Sequence, residues 1–294
     1  MTPQTAYHLL DSQKLDLGIL FMLKPKHFSI PYVIWMALFV ITPVLLIVGY
    51  AFTTRDGVPT LANFAEMYRF LPFFVRSFQL AVIATLICIA IGYPLAYILS
   101  RESSRVQRLL IMLVILPLWM NFLLRTYAWM SLLANTGIIN TFLETIGLPT
   151  FRIMNTPTAV VIGMVYNFLP FMVLPIYSVL VKIDRSLIEA AQDLGASSRN
   201  VFRRVVVPMS LPGVLSGIMM VFVPSVSTFV ITQLLGGGMV MMLGDLIERQ
   251  FLGAAFNPQL GSAVALVMMV IVVFFMVVMN RFGDNDGRLV RGGQ

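Results

Sequence analysis

The chain has 294 residues, 59% of them hydrophobic and only 11% charged, with a formal net charge of +7. A soluble domain carries about 45–50% apolar and about 25% charged residues, so this balance excludes one, and it equally excludes a disordered polar chain. A single cysteine, Cys88, leaves no disulfide framework or thiolate metal cluster, and the two histidines, His8 and His27, give no paired-His metal site.

A membrane-crossing helix needs roughly 20 mostly apolar residues. Residues 1–29 form an N-terminal arm, in which 15–23 is too short to cross and reads as an interfacial segment or a frayed arm. Six stretches qualify as spans: 30–52, 78–100, 109–133, 159–181, 211–235 and 261–282. The first is too long for a cleaved signal, and Tyr50-Ala51-Phe52 offers no small-x-small cleavage site. The expected fold is therefore all-α, a polytopic membrane protein with six transmembrane helices. One transmembrane domain covers 30–282, with a loop at 182–208 and a tail at 283–294.

Basic residues set the orientation. Lys14, Lys24 and Lys26 precede the first span, and Arg101, Arg105 and Arg108 separate the second from the third. Lys182, Arg185, Arg199, Arg203 and Arg204 separate the fourth from the fifth, and Arg281, Arg288 and Arg291 close the chain. The other side holds only Arg55, Arg69, Arg76, Arg152 and Arg249. The positive-inside rule places both termini in the cytoplasm. The net charge is then topology, and no nucleic-acid partner is implied.

No acidic residue falls within a span, which weakens a self-powered carrier or channel that relays protons or sodium. No Gly-x-Ser-x-Gly elbow occurs, and no histidine lies at membrane depth to activate a serine. Gly236-Gly237-Gly238 lacks the Lys-Ser or Lys-Thr of a phosphate-binding loop and reads as a flexible helix end on the outer side. The chain is read as a non-catalytic subunit without a cofactor of its own, and energy for uphill transport must come from elsewhere.

The loop between the fourth and fifth spans is the most informative segment. Leu187, Ala190, Ala191 and Leu194 recur at helical spacing. Asp184 or Ser186 can cap that helix, with Glu189 completing a capping box after Ser186, and Gly195 can supply a left-handed end. A second amphipathic stretch carries Val201, Phe202 and Val205 against Arg199, Arg203 and Arg204, and Pro208 is expected to end it. By helicity alone this is a surface hairpin between two spans.

Its spacing adds more. Glu189-Ala190-Ala191, then three residues to Gly195, then nine to Val205-x-Val207-Pro208, resembles the EAA signature of ABC importer permeases, with valines where Ile and Leu are usual. Pro117-Leu-Trp119-Met-Asn121-Phe-Leu-Leu-Arg125-Thr-Tyr127 and Leu169-Pro170-Phe171-Met-Val-Leu-Pro175-Ile-Tyr177 are similar to the first permease subunits of spermidine/putrescine importers, whereas Arg76-Ser77-Phe78 departs from the usual Asn-Ser-Leu. The resemblance implies a type I ABC importer permease fold and alternating access. It also implies a second related permease, two ATPase subunits that hold ATP and Mg, and an extracytoplasmic substrate-binding protein. By that resemblance Glu189, Ala190, Ala191, Asp193, Gly195, Phe202, Arg203 and Pro208 belong to an ATPase-coupling loop.

Polyamine passage favours aromatic faces and oxygen acceptors. Trp119, Asn121, Tyr127, Trp129, Tyr166, Asn167, Ser225, Thr228 and Gln233 are the candidates near spans three to five, although such groups more often join helix to helix. Arg125 is the one charge deep in a span. It either faces a cavity or a partner subunit, or snorkels at a shifted boundary. Asp245 and Glu248 are expected as solvated charges of the last outer loop. The same class of importer with another substrate remains the alternative reading.

Overall fold

The computed structural model describes residues 30–253 and 256–291, with side chains described for 31–253 and 256–281. The interfacial segment expected at 15–23 lies outside the described residues. Among the described residues the chain forms fourteen α-helices and no sheet. Five helices are long and apolar enough to cross a membrane, and a bent pair makes up a sixth.

The first span is α1 (Ile30–Met36) and α2 (Thr42–Ala51), joined by a π-helical turn at Ala37–Ile41. Nearly all of its side chains face outward, as suits a helix solvated by lipid. The short α3 (Ala62–Glu66) leads to α4 (Leu71–Arg101), which starts earlier than the second apolar stretch suggests. The third span is not the single helix expected over 109–133. It breaks into α5 (Ser104–Trp119) and α6 (Phe122–Leu133), and the path turns by 91°. Pro117 weakens the ladder of α5, and Asn121 restarts it by accepting the Leu123 N–H at 2.8 Å.

After α7 (Ile138–Thr145), α8 (Pro157–Leu180) forms the fourth span. The loop carries α9 (Arg185–Asp193) and α10 (Ser198–Val201), and a π-helical turn at Phe202–Val206 feeds directly into α11 (Val207–Ser227). Pro208 therefore ends no helix. It is the second residue of α11, immediately after the π-helical turn, within one helical run from Ser198 to Ser227. The fifth span is also interrupted: α11 stops before Thr228, and α12 (Val230–Gly236) resumes after Phe229. Gly237 and Gly238, with φ of 54° and 75°, then turn the chain at the end expected for the glycine run. An amphipathic α13 (Leu243–Leu252) precedes the last span, α14 (Pro258–Arg291).

The core is the three-way packing of α4, α8 and α11. Small residues let the backbones close up. A Cβ on Gly217 would stand 2.7 Å from Met172 Sδ, and one on Gly213 would stand 2.8 Å from the Pro175 carbonyl oxygen. Close approach through glycine is how helices associate in lipid, where the hydrophobic effect offers no drive. A second cluster, around Phe74, Phe222 and Leu246, ties α4 and α11 to α13 and α14.

Candidate coupling loop and translocation face

The loop is built as a cap, a helix, a turn and an anchored return. Asp184 Oδ1 accepts the Ser186 N–H at 3.0 Å, so Asp184 is the cap, and the alternative box from Ser186 to Glu189 does not form. This hydrogen bond holds the exposed Asp184 carboxyl below its usual range. At the far end Gly195 takes φ 81°. Its N–H bonds Gln192 O at 2.8 Å, and Ala196 N–H bonds Ala191 O at 3.0 Å, the two bonds of a Schellman ending.

The return is fixed to the membrane body by apolar side chains. Val201 and Val206 are buried, and the Phe202 ring meets Tyr97 edge-on at 5.2 Å and Tyr93 at 6.0 Å. Tyr93 Oη and Ser210 Oγ lie 2.8 Å apart, closing α4 onto α11. Tyr93, Tyr97 and Ser210 thus anchor the loop. Sequence reading passed over them because they lie inside apolar runs. The outer surface is different: Glu189, Ala190, Asp193, Gly195, Arg203 and Pro208 are exposed, and Ala191 is half-buried. Leu194 is 89% exposed, a large apolar side chain at the loop's tip with no cover from its own chain. The helix packs inward through Ile188 instead.

The path candidates divide. Trp129 and Tyr166 meet at 5.2 Å between α6 and α8. Asn167 lies beside them, buried, with its amide nitrogen donating to Gly163 O at 2.9 Å and Oδ1 without a partner. Ser225 is buried and donates to Val221 O at 2.6 Å, and Thr228 sits at the break in the fifth span. Gln233 is exposed and donates to Glu248 Oε2 at 3.2 Å. Trp119 and Tyr127 are exposed on α5 and α6, and Asn121 is spent as a helix cap. Arg125 is 6% exposed and turns into the chain, with Nε and Nη1 unpartnered among the described residues and the Phe122 ring 6.0 Å away. It does not snorkel.

Asp245 corrects the sequence expectation. It is 3% exposed at the start of α13, where Oδ2 accepts the Met242 N–H at 2.9 Å. Burial pushes its carboxyl above the usual range, opposed in part by the Thr232 hydroxyl and the Met242 amide. The next amide, Leu243 N–H, donates to Ser77 Oγ at 2.7 Å, so α4 receives the same helix end. Among the described residues no group of His, Cys, Asp and Glu side chains is placed to hold a metal ion.

Up to six helices long and apolar enough to cross a membrane, joined by a loop with an exposed helix, a glycine turn and an anchored return, are the architecture of a polytopic membrane protein. The chain belongs to the family of binding-protein-dependent transport system inner membrane components, whose model matches residues 60–285. It is similar to the spermidine/putrescine transport system permease protein PotB of Escherichia coli K12, at 39% identity, covering 83% of this chain and 92% of that one. The same-named proteins of Salmonella typhimurium strain SL1344 and Haemophilus influenzae are also 39% identical, covering 83% and 82% of this chain and 88% of each relative. The fold resembles a chain of a bacterial ABC transporter that imports the acidic polysaccharide alginate. There the TM-score is 0.71 at 17% identity, over 95% of this chain and 99% of that one. A chain of the MetNI methionine transporter gives 0.57 at 16% identity, over 76% and 98%. The chain is thus a PotB-like ABC importer permease.

Proposed function

We propose that this chain is the pore-forming subunit of an ATP-driven importer that carries spermidine or putrescine into the cytoplasm. The observation that carries the substrate reading is the 39% identity to the spermidine/putrescine permeases across most of both chains. A second related permease completes the pore. Two ATPase subunits, holding ATP and Mg, dock at the 182–208 loop, and a substrate-binding protein docks at the opposite face. Both termini and the loop lie in the cytoplasm, as the basic residues argue.

In this reading ATP binding draws the ATPases together and moves α9 with the return of α10 and α11 as rigid bodies. Glu189, Ala190, Ala191, Asp193 and Leu194 contact the ATPase, Gly195 sets the angle, and Phe202 and Arg203 carry the motion toward α4 and α11. Pro208 starts the helix that receives it. Trp129, Tyr166 and Gln233 face the solute on its way, with Trp119, Asn121 and Tyr127 at the bend of the third span, whereas Asn167, Ser225 and Thr228 are buried within the chain. The test is uptake of labelled spermidine by vesicles containing all subunits and the binding protein. Unlabelled putrescine and spermidine should compete and an uncharged sugar should not. If neither polyamine competes or enters, the importer carries another solute.

A further inference from the structure

Two features of α5 lie outside the proposed coupling contacts and, apart from Trp119 at the end of one of them, outside the candidate path. At its first turn lies a polar cavity of about 300 Å³, bounded by Arg101, Ser103 and Ser104 on one side and by Arg185 and Ile188 of the loop on the other. Ser103 makes no side-chain capping bond, so the opening amides of α5 keep their donors free for another acceptor. Gln107 fixes the turn that shapes the cavity. Its Nε2 donates to the carbonyls of Ser100 and Glu102 at 3.2 and 2.9 Å, and its Oε1 accepts from Tyr177 at 3.2 Å. Arg101 is steadied over the Tyr97 ring at 5.1 Å.

The second feature is a groove of about 400 Å³, almost wholly apolar, running along the same helix from Arg108 past Ile111 and Ile115 to Trp119. No side chain of α5 is buried by the rest of the chain. Ser104, Arg108, Ile111 and Ile115 follow one another on a single helical stripe, so the groove leads away from the cavity. At a rise of about 1.5 Å per residue, Arg108 to Trp119 spans roughly 16 Å. One leaflet of a bilayer has a hydrocarbon depth of about 15 Å.

We propose that α5 holds one anionic glycerophospholipid, its phosphate in the Arg101–Ser103–Ser104 cavity and an acyl chain in the groove between Arg108 and Trp119. The charge argues for this occupant. Arg101 and Arg185 line the cavity and Arg108 heads the groove, against the single carboxylate of Glu102. Basic pockets between spans at the positive face of a membrane protein recognise such headgroups. Because Arg185 and Ile188 form the far wall, the bound lipid braces α5 against the coupling helix, and transport becomes dependent on anionic lipid.

The test uses the complete importer, purified with its partner subunits and stripped of lipid. Native mass spectrometry follows retention of phosphatidylglycerol against phosphatidylcholine of the same chains. Phosphatidylglycerol should be retained several-fold more, and Arg101→Gln with Arg108→Gln should abolish that preference while the subunits still co-purify. Ile115→Trp, which fills the groove without touching charge, should lower retention of the lipid. In nanodiscs, ATPase stimulation by the binding protein should be higher with phosphatidylglycerol present for the unsubstituted importer alone. Equal retention of the two lipids, or an unchanged preference in the double variant, overturns the proposal. Displacement of the lipid by millimolar inorganic phosphate would mark a free-anion site, and a cross-link from Ile115→Cys to the second permease would mark a subunit interface. Either result also overturns it.

Discussion

Two of the short amphipathic helices between spans, α9 and α13, are oriented oppositely. α13 turns its apolar side inward: Leu243 and Leu246 are buried, and Asp245 is buried with them. α9 leaves Leu187 in the open, 45% exposed, as is Leu194 just past its end at 89%; Ile188 and Ala191 are half-buried, and the helix has no fully buried residue. The partner of α13 is its own chain, and α9 meets its own chain through the half-buried Ile188. An exposed apolar stripe beside charged groups is the pattern of an interface whose other half is absent. The sequence periodicity of the two helices is similar, so only packing separates a structural brace from a docking surface.

The comparison is broken most severely at Gly195. A Cβ there meets nothing within 4 Å, so the only obstacle to substitution is φ 81°. The left-handed region costs an L-residue roughly 1–2 kcal/mol, and a β-branched one more. Gly195→Val should re-aim the return of α10 and reduce uptake about tenfold or more, since 1.4 kcal/mol is a factor of ten. Gly195→Asn should recover part of the loss. Uptake by vesicles with matched amounts of the chain in the membrane checks this. Normal uptake by the valine variant would remove the loop from the coupling role.

The next contrast is a paired truncation. Leu246→Ala opens a cavity in the cluster that joins α13 to α4 and α14, and should cost about 2–5 kcal/mol of stability. Leu194→Ala removes an equal volume from an exposed tip and should change stability by less than about 0.5 kcal/mol, while weakening co-purification of the ATPase subunits. Thermal unfolding in detergent and a pull-down read the two effects separately. Similar melting losses in both variants would mean that α9 packs on its own chain.

Much of this organisation is legible in the residue order, and the misses have physical causes. Hydropathy finds the spans and charge finds the informative loop, because lipid and the membrane face act on composition. The same average runs straight through Met120–Asn121 and Thr228–Phe229, where the helices break. Pro117 followed by Asn121, a ladder-breaker and then a cap, was the available signal for the first break. The second has no comparable signal, because Pro224 stays within α11 and the chain opens three residues later. Asp245 reads as solvated because a carboxylate in a polar loop usually is. The groups around it are distant in sequence, Thr232 beside its carboxyl and Ser77 at the nearby Leu243 amide, and no local pattern reports them. The path candidates are found as types, but which of them share a face depends on the 91° turn.

Asp245 gives a smaller, pH-dependent way to sharpen the contrast. Burial raises its folded pKa above the unfolded value, so the folded chain holds the proton more tightly. Stability from this group is then full below the ordinary carboxylate value and declines as pH rises through the raised one. Asp245→Asn keeps an oxygen for the Met242 N–H and removes the titration. Melting of the unsubstituted chain should fall with rising pH across that window, and that of Asp245→Asn should show less slope. Parallel profiles would assign the slope to other groups.

Asp184 tests the exposed helix with the opposite sign and the smallest effect. Its carboxyl is held below the usual range by the Ser186 hydrogen bond, so the capping contribution to α9 is present above the ordinary carboxylate value. It fades as pH falls through the lowered one. The group is fully exposed and screened by solvent, so global melting should scarcely register it. Amide exchange at the first turn of α9 should. Protection of Leu187, whose N–H bonds the Asp184 carbonyl, should fall on acidification in the unsubstituted chain and be low at every pH in Asp184→Ala. Unaltered protection in that variant would mean the helix start is held by something other than its own cap, and docking by a partner would then be the first place to look.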